Sequence, residues 1–386
     1  FADNLLTLDY LNLNLPDRGT VSAEGTVQDF TALDLNFNLS HLNLALAQNF
    51  APDFVTLGGL ADAFGTIKGN RSNPKIDIKL SAVDDTPRGF NGIIVNQHYD
   101  SIKLAASGNL DAVKVDDFEL ERDGKVVWTV IDGTVGLTGE KNINLRLDTI
   151  GARTEDIVKV FAPDQQLTGN IDNTIRVTGT LDKPHVVGYL EFKYGSYRGF
   201  LVTDMRGDYF LDGNSLRLQD FVIISPMVDM VLNGTIDVKT YAMNFVVTGR
   251  DINLKRFQSK FPNDYPVEGH GTFEGQISGN LDAPVFDGKL AANLLNFNGV
   301  EMKNVNGHVT SNGNRLALED FNFAQGSGRY QMKLTADTAT KNLNGTITVK
   351  NADIPALFAL ANKNSKILTG KLDSEITIGG TFDNPS

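Results

Sequence analysis

The sequence predicts an all-β protein: a long, curved antiparallel sheet built from units of about one hundred residues, with short helices between them. Three observations predict it. Apolar residues recur at every second position through most of the chain. A six-residue punctuation mark returns as GNRSNP at 69–74, GTLDKP at 179–184, GNLDAP at 279–284 and GTFDNP at 380–385. Longer blocks match without gaps at the same spacing, so the chain reads as a repeat array.

The period of two is clearest early. LTLDYLNLNL carries Leu6, Leu8 and Tyr10, then shifts to Leu11, Leu13 and Leu15. LDLNFNLS sets Leu33, Leu35, Phe37 and Leu39 against Asp34, Asn36 and Asn38. Ile76, Ile78 and Leu80 continue the pattern, as do Ile143, Leu145 and Leu147. Later come Leu216 with Leu218, the trio Met243, Phe245 and Val247, and Ile347 with Val349. Strand side chains point alternately to opposite faces, so one face is apolar and the other wet.

The hexamer suits a turn. Glycine adopts permissive backbone angles, Asp caps its own backbone, and Pro blocks further pairing. It marks the place where one strand run ends and the next begins. Asp182, Asp282 and Asp383 are therefore expected as turn caps rather than as acids or calcium ligands; one per hundred residues makes no site.

Residues 199–214 align onto 299–314, with Gly199, Gly207 and Gly213 on Gly299, Gly307 and Gly313. LRLQDF at 216–221 then matches LALEDF at 316–321, and VKVDDF at 113–118 is a looser copy. In these, Asp117, Asp220 and Asp320 are expected at wet positions beside an inward Phe. Asp-Ile leads to a phenylalanine at Asp156–Phe161, Asp251–Phe257 and Asp353–Phe358, and the residues that follow are the helix candidates. The expected division is a partial first repeat over 1–74 and repeats over 75–184, 185–284 and 285–386.

Composition narrows the classes. The 386 residues are 41% hydrophobic with a formal charge of −12, and no basic stripe appears, so nucleic acid is set aside. No cysteine is present, which removes disulfides and thiolate metal sites. No run reaches the roughly 18 apolar residues of a membrane span. The chain begins within a strand-like pattern and stops after Asn384-Pro385, as a piece of something longer would. His41, His98, His185, His270 and His308 form no HExxH or HxH pair, and neither a GxSxG elbow nor a phosphate loop is found. No enzyme, no cofactor and no metal is expected.

A hundred-residue period is too long for a β-helix coil or a propeller blade, which repeat at roughly 20–30 and 40–50 residues. Immunoglobulin-like domains have the right length, but the single tryptophan, Trp128, supplies no buried marker for each unit. The alternation then admits two readings. The apolar face is either the inside of closed β-sandwiches or the lining of an open trough in one long sheet. An apolar trough in water is unfavourable by roughly 25 cal/mol per Å², so it would need an apolar occupant.

The hexamer series, followed by Val186, Leu190 and Phe192 or by Phe286 and Leu290, resembles the TamB branch of the AsmA-like family. So do the Asn-Gly-Thr-Ile segments at 233–236 and 344–347 and the Asp-Ile segments. The resemblance spans nearly the whole chain and is clearest over 165–386; the first hexamer departs from it, lacking both Leu and Asp. It implies a β-taco, a sheet folded along its length into an apolar groove, in the periplasm of a diderm bacterium. The groove would conduct phospholipid between inner and outer membranes, its acyl chains held by the alternating residues named above from Leu33 to Val349, by Val186, Leu190, Phe192, Phe286 and Leu290, and by Leu316 and Leu318. It further implies an inner-membrane anchor and an Omp85-type outer-membrane barrel as partners, both through regions outside this chain. Alternatives are a scaffold for assembly of outer-membrane proteins and a repetitive β-sandwich adhesin or stalk.

Overall fold

The computed structural model describes residues 4–15, 19–50, 55–82, 92–94, 97–155, 166–180, 183–197, 199–260, 266–337, 339–360, 368–381 and 384–385. Among the described residues, twenty-two strands belong to one antiparallel sheet that is not closed into a barrel. The chain forms two compact units: Phe1–Gly199 with Phe210–Gly213, and Phe200–Tyr209 with Asn214–Ser386.

In the first unit, eleven strands of the sheet run from Leu5–Asn14 to Pro184–Tyr197, each pairing with its neighbours in chain order. The only other described strands there are Val55–Thr56, Gly92–Ile94 and Gln97–Tyr99, which form a small separate sheet. Near it Leu44, Ala61, Tyr99 and Leu120 are buried, with Trp128 packed against them. The Trp128 indole N–H donates to Tyr99 Oη at 3.0 Å, so the lone tryptophan pins a local cluster rather than marking a repeat. In the second unit, ten strands from Ser215–Ile224 to Lys371–Ile378 pair in the same way. Its core joins Leu295, Met302, Val305, Phe321, Phe323, Tyr330 and Val349. Among the described residues neither unit has the two large facing sheets of a sandwich.

The hexamers are hairpin turns. Gly69, Gly179, Gly279 and Gly380 hold φ of 92°, 92°, 89° and 90°, a region that an L side chain strains to enter. Two details differ from expectation. Pro184, Pro284 and Pro385 do not stop pairing; each pairs opposite its hexamer's glycine, Pro184 as the first residue of the returning strand and Pro284 and Pro385 as the second. The missing N–H of proline is tolerated at a strand's first residue. In the third hexamer the cap is Asn280, whose Oδ1 accepts from the Asp282 N–H at 3.1 Å. Asp182 and Asp383 lie outside the described residues.

Bulges carry the rest of the repeat. Asp220 and Asp320 have φ of 46° and 47°, and the ladder shifts register there. The extra residue turns the strand so that Phe221 and Phe321 point inward and are buried. Asp-Phe is therefore a bulge signature, and the aspartates are exposed as expected. A second series falls at His41, Gly151, Asp251 and Asn351, with φ of 53°, 62°, 51° and 51°. In three of these the bulge N–H donates to an aspartate on the next strand: His41 to Asp62 at 2.8 Å, Gly151 to Asp172 at 2.7 Å, Asn351 to Asp373 at 2.6 Å.

Helical pieces follow these bulges. Ile354–Leu360 is an α-helix, as the Asp-Ile pattern predicts. Leu254–Lys260 is a 3-10 turn instead, and a further 3-10 turn, Leu44–Phe50, has no Asp-Ile signal. Segments this short are marginal by themselves and form because an apolar side chain docks on the sheet: Leu254, Leu357 and Leu360 all pack on the second core. Most of Asp156–Phe161, including its phenylalanine, lies outside the described residues.

Candidate functional site

Register turns alternation into surface. In an antiparallel ladder, directly opposed residues face the same way, so following partners from strand to strand traces what lies side by side on one face. In the first unit one such line reads Leu11, Ala23, Phe37, Gly65, Ile78, Ala106, Val115, Gly133, Leu145, Val177, Val186. The line beside it crosses the same eleven strands through Leu39, Leu80, Phe118, Leu147 and Ile175. On its other side a third passes through Leu35, Ile67, Ile76, Val113 and Ile143. All three lines contain only apolar residues and glycine. At about 4.8 Å between strands, this ribbon extends about 50 Å.

The second unit carries its own ribbon. Phe221, Leu232, Val247, Gly275, Gly288, Val309, Leu318, Leu334, Gly345 and Ile378 follow one another across ten strands. A neighbouring line runs through Leu218, Gly234, Phe245, Ile277 and Phe286, then meets Ser311 before Leu316. There the apolar run breaks. Leu316 is 38% exposed, next to the hairpin at Gly313, and is the one candidate residue that the sheet does not shelter.

Every other candidate is buried or half-buried. Ile143, Phe192, Phe245, Val247 and Val349 are buried; Leu33, Leu35, Phe37, Leu39, Ile76, Ile78, Leu80, Leu145, Leu147, Val186, Leu190, Leu216, Leu218, Met243, Phe286, Leu290, Leu318 and Ile347 are half-buried. That intermediate state carries information. A face closed by a second sheet would bury such side chains almost wholly, whereas these keep a share of accessible surface.

The opposite face is mostly polar, with Phe64, Val187, Tyr189 and Val246 as exposed apolar exceptions. Asp34, Asn36 and Asn38 alternate with the ribbon residues of their strand and are exposed. Histidines there pair with carboxylates: His185 with Asp212 at 3.2 Å, His270 with Asp251 at 2.8 Å, His308 with Asp287 at 2.6 Å. Lys103 sits between Glu119 and Glu121, both at 3.2 Å, and these partners hold its ammonium above the ordinary lysine range. A cavity of about 310 Å³ in the second unit lies beside polar side chains such as Asn322, Arg329, Gln331 and Lys350. Among the described residues no cluster of three or more His, Asp or Glu could hold a metal. No helix among them is long and apolar enough to cross a membrane.

Two kinds of residue escaped the sequence reading. The first is the partner set that completes each line, such as Ile67, Leu104, Val130 and Ile277, which needs register to be seen. The second is glycine inside strands. A Cβ built on Gly307 would stand 2.7 Å from Phe321 Cδ2, and one on Gly234 would stand 2.1 Å from the Asn244 carbonyl oxygen and 2.9 Å from Phe245 Cδ1. At these glycines the backbone and ring of the neighbouring strand come closer than a side chain would allow. The two Asn-Gly-Thr-Ile segments are placed differently: Gly234 lies one strand after Leu218, while Gly345 lies two strands after Leu318. They occupy non-equivalent strands of the repeat.

Comparison with family models, with curated proteins and with solved structures finds no match to this chain.

Proposed function

We propose that the apolar ribbon holds the acyl chains of phospholipid and lets them move along the sheet, in a protein that carries lipid between two membranes. One observation carries this reading: three adjacent lines of apolar residues and glycine cross eleven strands without a polar interruption, and most of their side chains remain partly accessible. An acyl chain spans about half of a bilayer's ~30 Å hydrocarbon core. A ribbon of about 50 Å is some three chain lengths, long for a fixed binding pocket and suited to movement.

The mechanism needs no bond chemistry. Each CH₂ taken from water contributes about 0.8 kcal/mol, so a two-chain lipid leaves a bilayer slowly unless an apolar surface receives it. A ribbon of uniform character offers similar affinity at each strand, which removes the barrier between positions. The headgroup stays in water. The resemblance to AsmA-like proteins supplies the setting of the proposal: a periplasmic protein, anchored at the inner membrane and meeting an Omp85-type barrel through regions outside this chain.

Native mass spectrometry with lipid extraction, on the protein purified from a diderm host without detergent, tests it. Co-purified phospholipid is expected, falling when Phe37→Asp, Leu145→Asp or Phe245→Asp places a charge on the ribbon. A folded, lipid-free protein would overturn the reading.

A further inference from the structure

The 310 Å³ cavity of the second unit is lined by Asn322, Arg329, Gln331 and Lys350. Along their strands these alternate with Phe321, Phe323, Tyr330 and Val349 of the core, so the cavity opens on the face away from the apolar ribbon. Arg329 pairs directly opposite Lys350, and Gln331 stands between Asn322 and Thr348. Like charges directly opposed across a ladder are destabilising. Little on the chain offsets them. Lys350 reaches Asp373 at 3.7 Å, both side chains being well exposed. Arg329 donates to the Gly328 carbonyl at 3.4 Å and forms no ion pair among the described residues. The preceding repeat fills the equivalent places differently. Its ladder has the same register, Phe221 opposite Leu232 as Phe321 is opposite Met332. Yet Val222, Ile224 and Val231 stand where Asn322, Ala324 and Gln331 do, and Asp229 meets Arg250 where Arg329 meets Lys350. A requirement of the sheet would be met alike in both copies. Donors and uncompensated charge in one copy alone point to a ligand.

We propose that this cavity binds a small phosphate ester that carries hydroxyl groups. Arg329 supplies a planar fork of donors suited to an oxyanion, and Lys350 adds a point charge beside it. A phosphate ester brings three peripheral oxygens to that set, where a carboxylate brings two. The cavity stands at the lower end of small-molecule sites, roughly 300–1,000 Å³, which leaves room beyond the phosphate for a short polyol or a sugar. The Asn322 and Gln331 amides and the Thr348 hydroxyl both donate and accept, as hydroxyl partners must. Asp373 and Glu375 lie on the next strand, Glu375 opposite Thr348, and their repulsion sets the phosphate toward Arg329. Because cavity and ribbon occupy opposite faces, the ester is not the headgroup of a lipid held on the ribbon, and the inference stands apart from the lipid reading. Its source is either a soluble molecule or a headgroup at a membrane surface.

Isothermal titration calorimetry of the whole chain, at constant ionic strength in chloride, compares glycerol 3-phosphate with glycerol. The ester is expected to bind and glycerol is not. Arg329→Gln is expected to weaken the ester about tenfold or more and Lys350→Gln about threefold or more. Arg250→Gln, at the equivalent place in the preceding repeat, is the control and is expected to change affinity less than about twofold. Removing one of two opposed like charges relieves repulsion, so R329Q is expected to melt no lower than the parent without ligand. Glycerol 3-phosphate should raise the parent's melting temperature and leave that of R329Q unchanged. Cosedimentation with phosphatidylglycerol vesicles separates the two sources. Binding of the soluble ester assigns a soluble ligand; vesicle binding that R329Q removes, without binding of the soluble ester, assigns a headgroup. No binding of either probe that depends on Arg329, equal binding of glycerol, or equal losses in R329Q and R250Q would overturn the site. Should R329Q fail to fold, K350Q against R250Q decides by the same comparison.

Discussion

The Asn298 side-chain amide donates to the Ala359 carbonyl oxygen at 2.7 Å, joining a hairpin tip to the last turn of a helix 61 residues later. Ala359 lies in Ile354–Leu360, whose seven residues are all apolar and none of which is buried. Leu357 and Leu360 rest on the second core, and the Ile354 N–H donates to the Gly370 carbonyl at 3.2 Å. Such a helix is held by its attachments rather than by propensity. Asn298→Ala is expected to cost about 1 kcal/mol and to raise amide exchange in residues 354–360 selectively. Uniform exchange across the second unit would count against a local tie.

Gly279→Ala places a side chain at φ 89° in a hairpin turn. The left-handed side of the map costs an L residue about 1–2 kcal/mol, and urea denaturation of the variant should show a loss of that size. The same substitution at Gly271, which does not hold a positive φ, is expected to cost less.

Asp237 and Asp337 accept from the Thr240 and Thr340 N–H groups at 2.6 and 2.8 Å, closing the same short loop in two copies of the repeat. These bonds hold both carboxyls below the ordinary carboxylate range, the backbone N–H first and the threonine hydroxyl second. A depressed carboxyl contributes stability above its unfolded value and loses it as pH falls through its folded value. Thermal melts from pH 7 down to about pH 3 should therefore show a shallower acid decline for the Asp237→Asn, Asp337→Asn double variant than for the parent. Parallel curves would refute the assignment.

Phe192 has no exposed surface and seats over Gly169. Phe192→Ala leaves a cavity the size of a ring, with an expected loss of about 3–5 kcal/mol. Phe286→Ala, half-buried, should lose less. Equal losses would mean that burial does not rank these positions.

Alternation made the apolar face legible in the sequence, because every strand writes its own two faces. The slip at Tyr10 in LTLDYLNLNL is the bulge between Leu8 and Leu11. What alternation could not supply was the pairing between strands. Nothing in the letters around Leu145 says that Gly133 lies on one side of it and Val177 on the other. Glycines looked like punctuation because punctuation is their local role; their role inside strands appears only when the neighbouring strand's close approach is seen. Helical pieces were hard for a related reason. Leu44–Phe50 and Leu254–Lys260 share little beyond a leading leucine and a glutamine four residues on. Yet Gln48 and Gln258 accept from Leu57 and Val267 N–H groups at 2.8 and 3.0 Å, each nine residues downstream. A Leu-x-x-x-Gln signal is too sparse to recognise without the bond it makes.

Within each unit, every described ladder of the large sheet joins strands that are adjacent in the chain or separated only by a short excursion, such as 83–100. A pull applied along such a meander meets one hairpin at a time. Mechanical extension should therefore proceed as a series of small, similar steps, each releasing a strand, rather than as one large rupture. A wall built this way can lose a strand at its edge while the next ladder stays zipped.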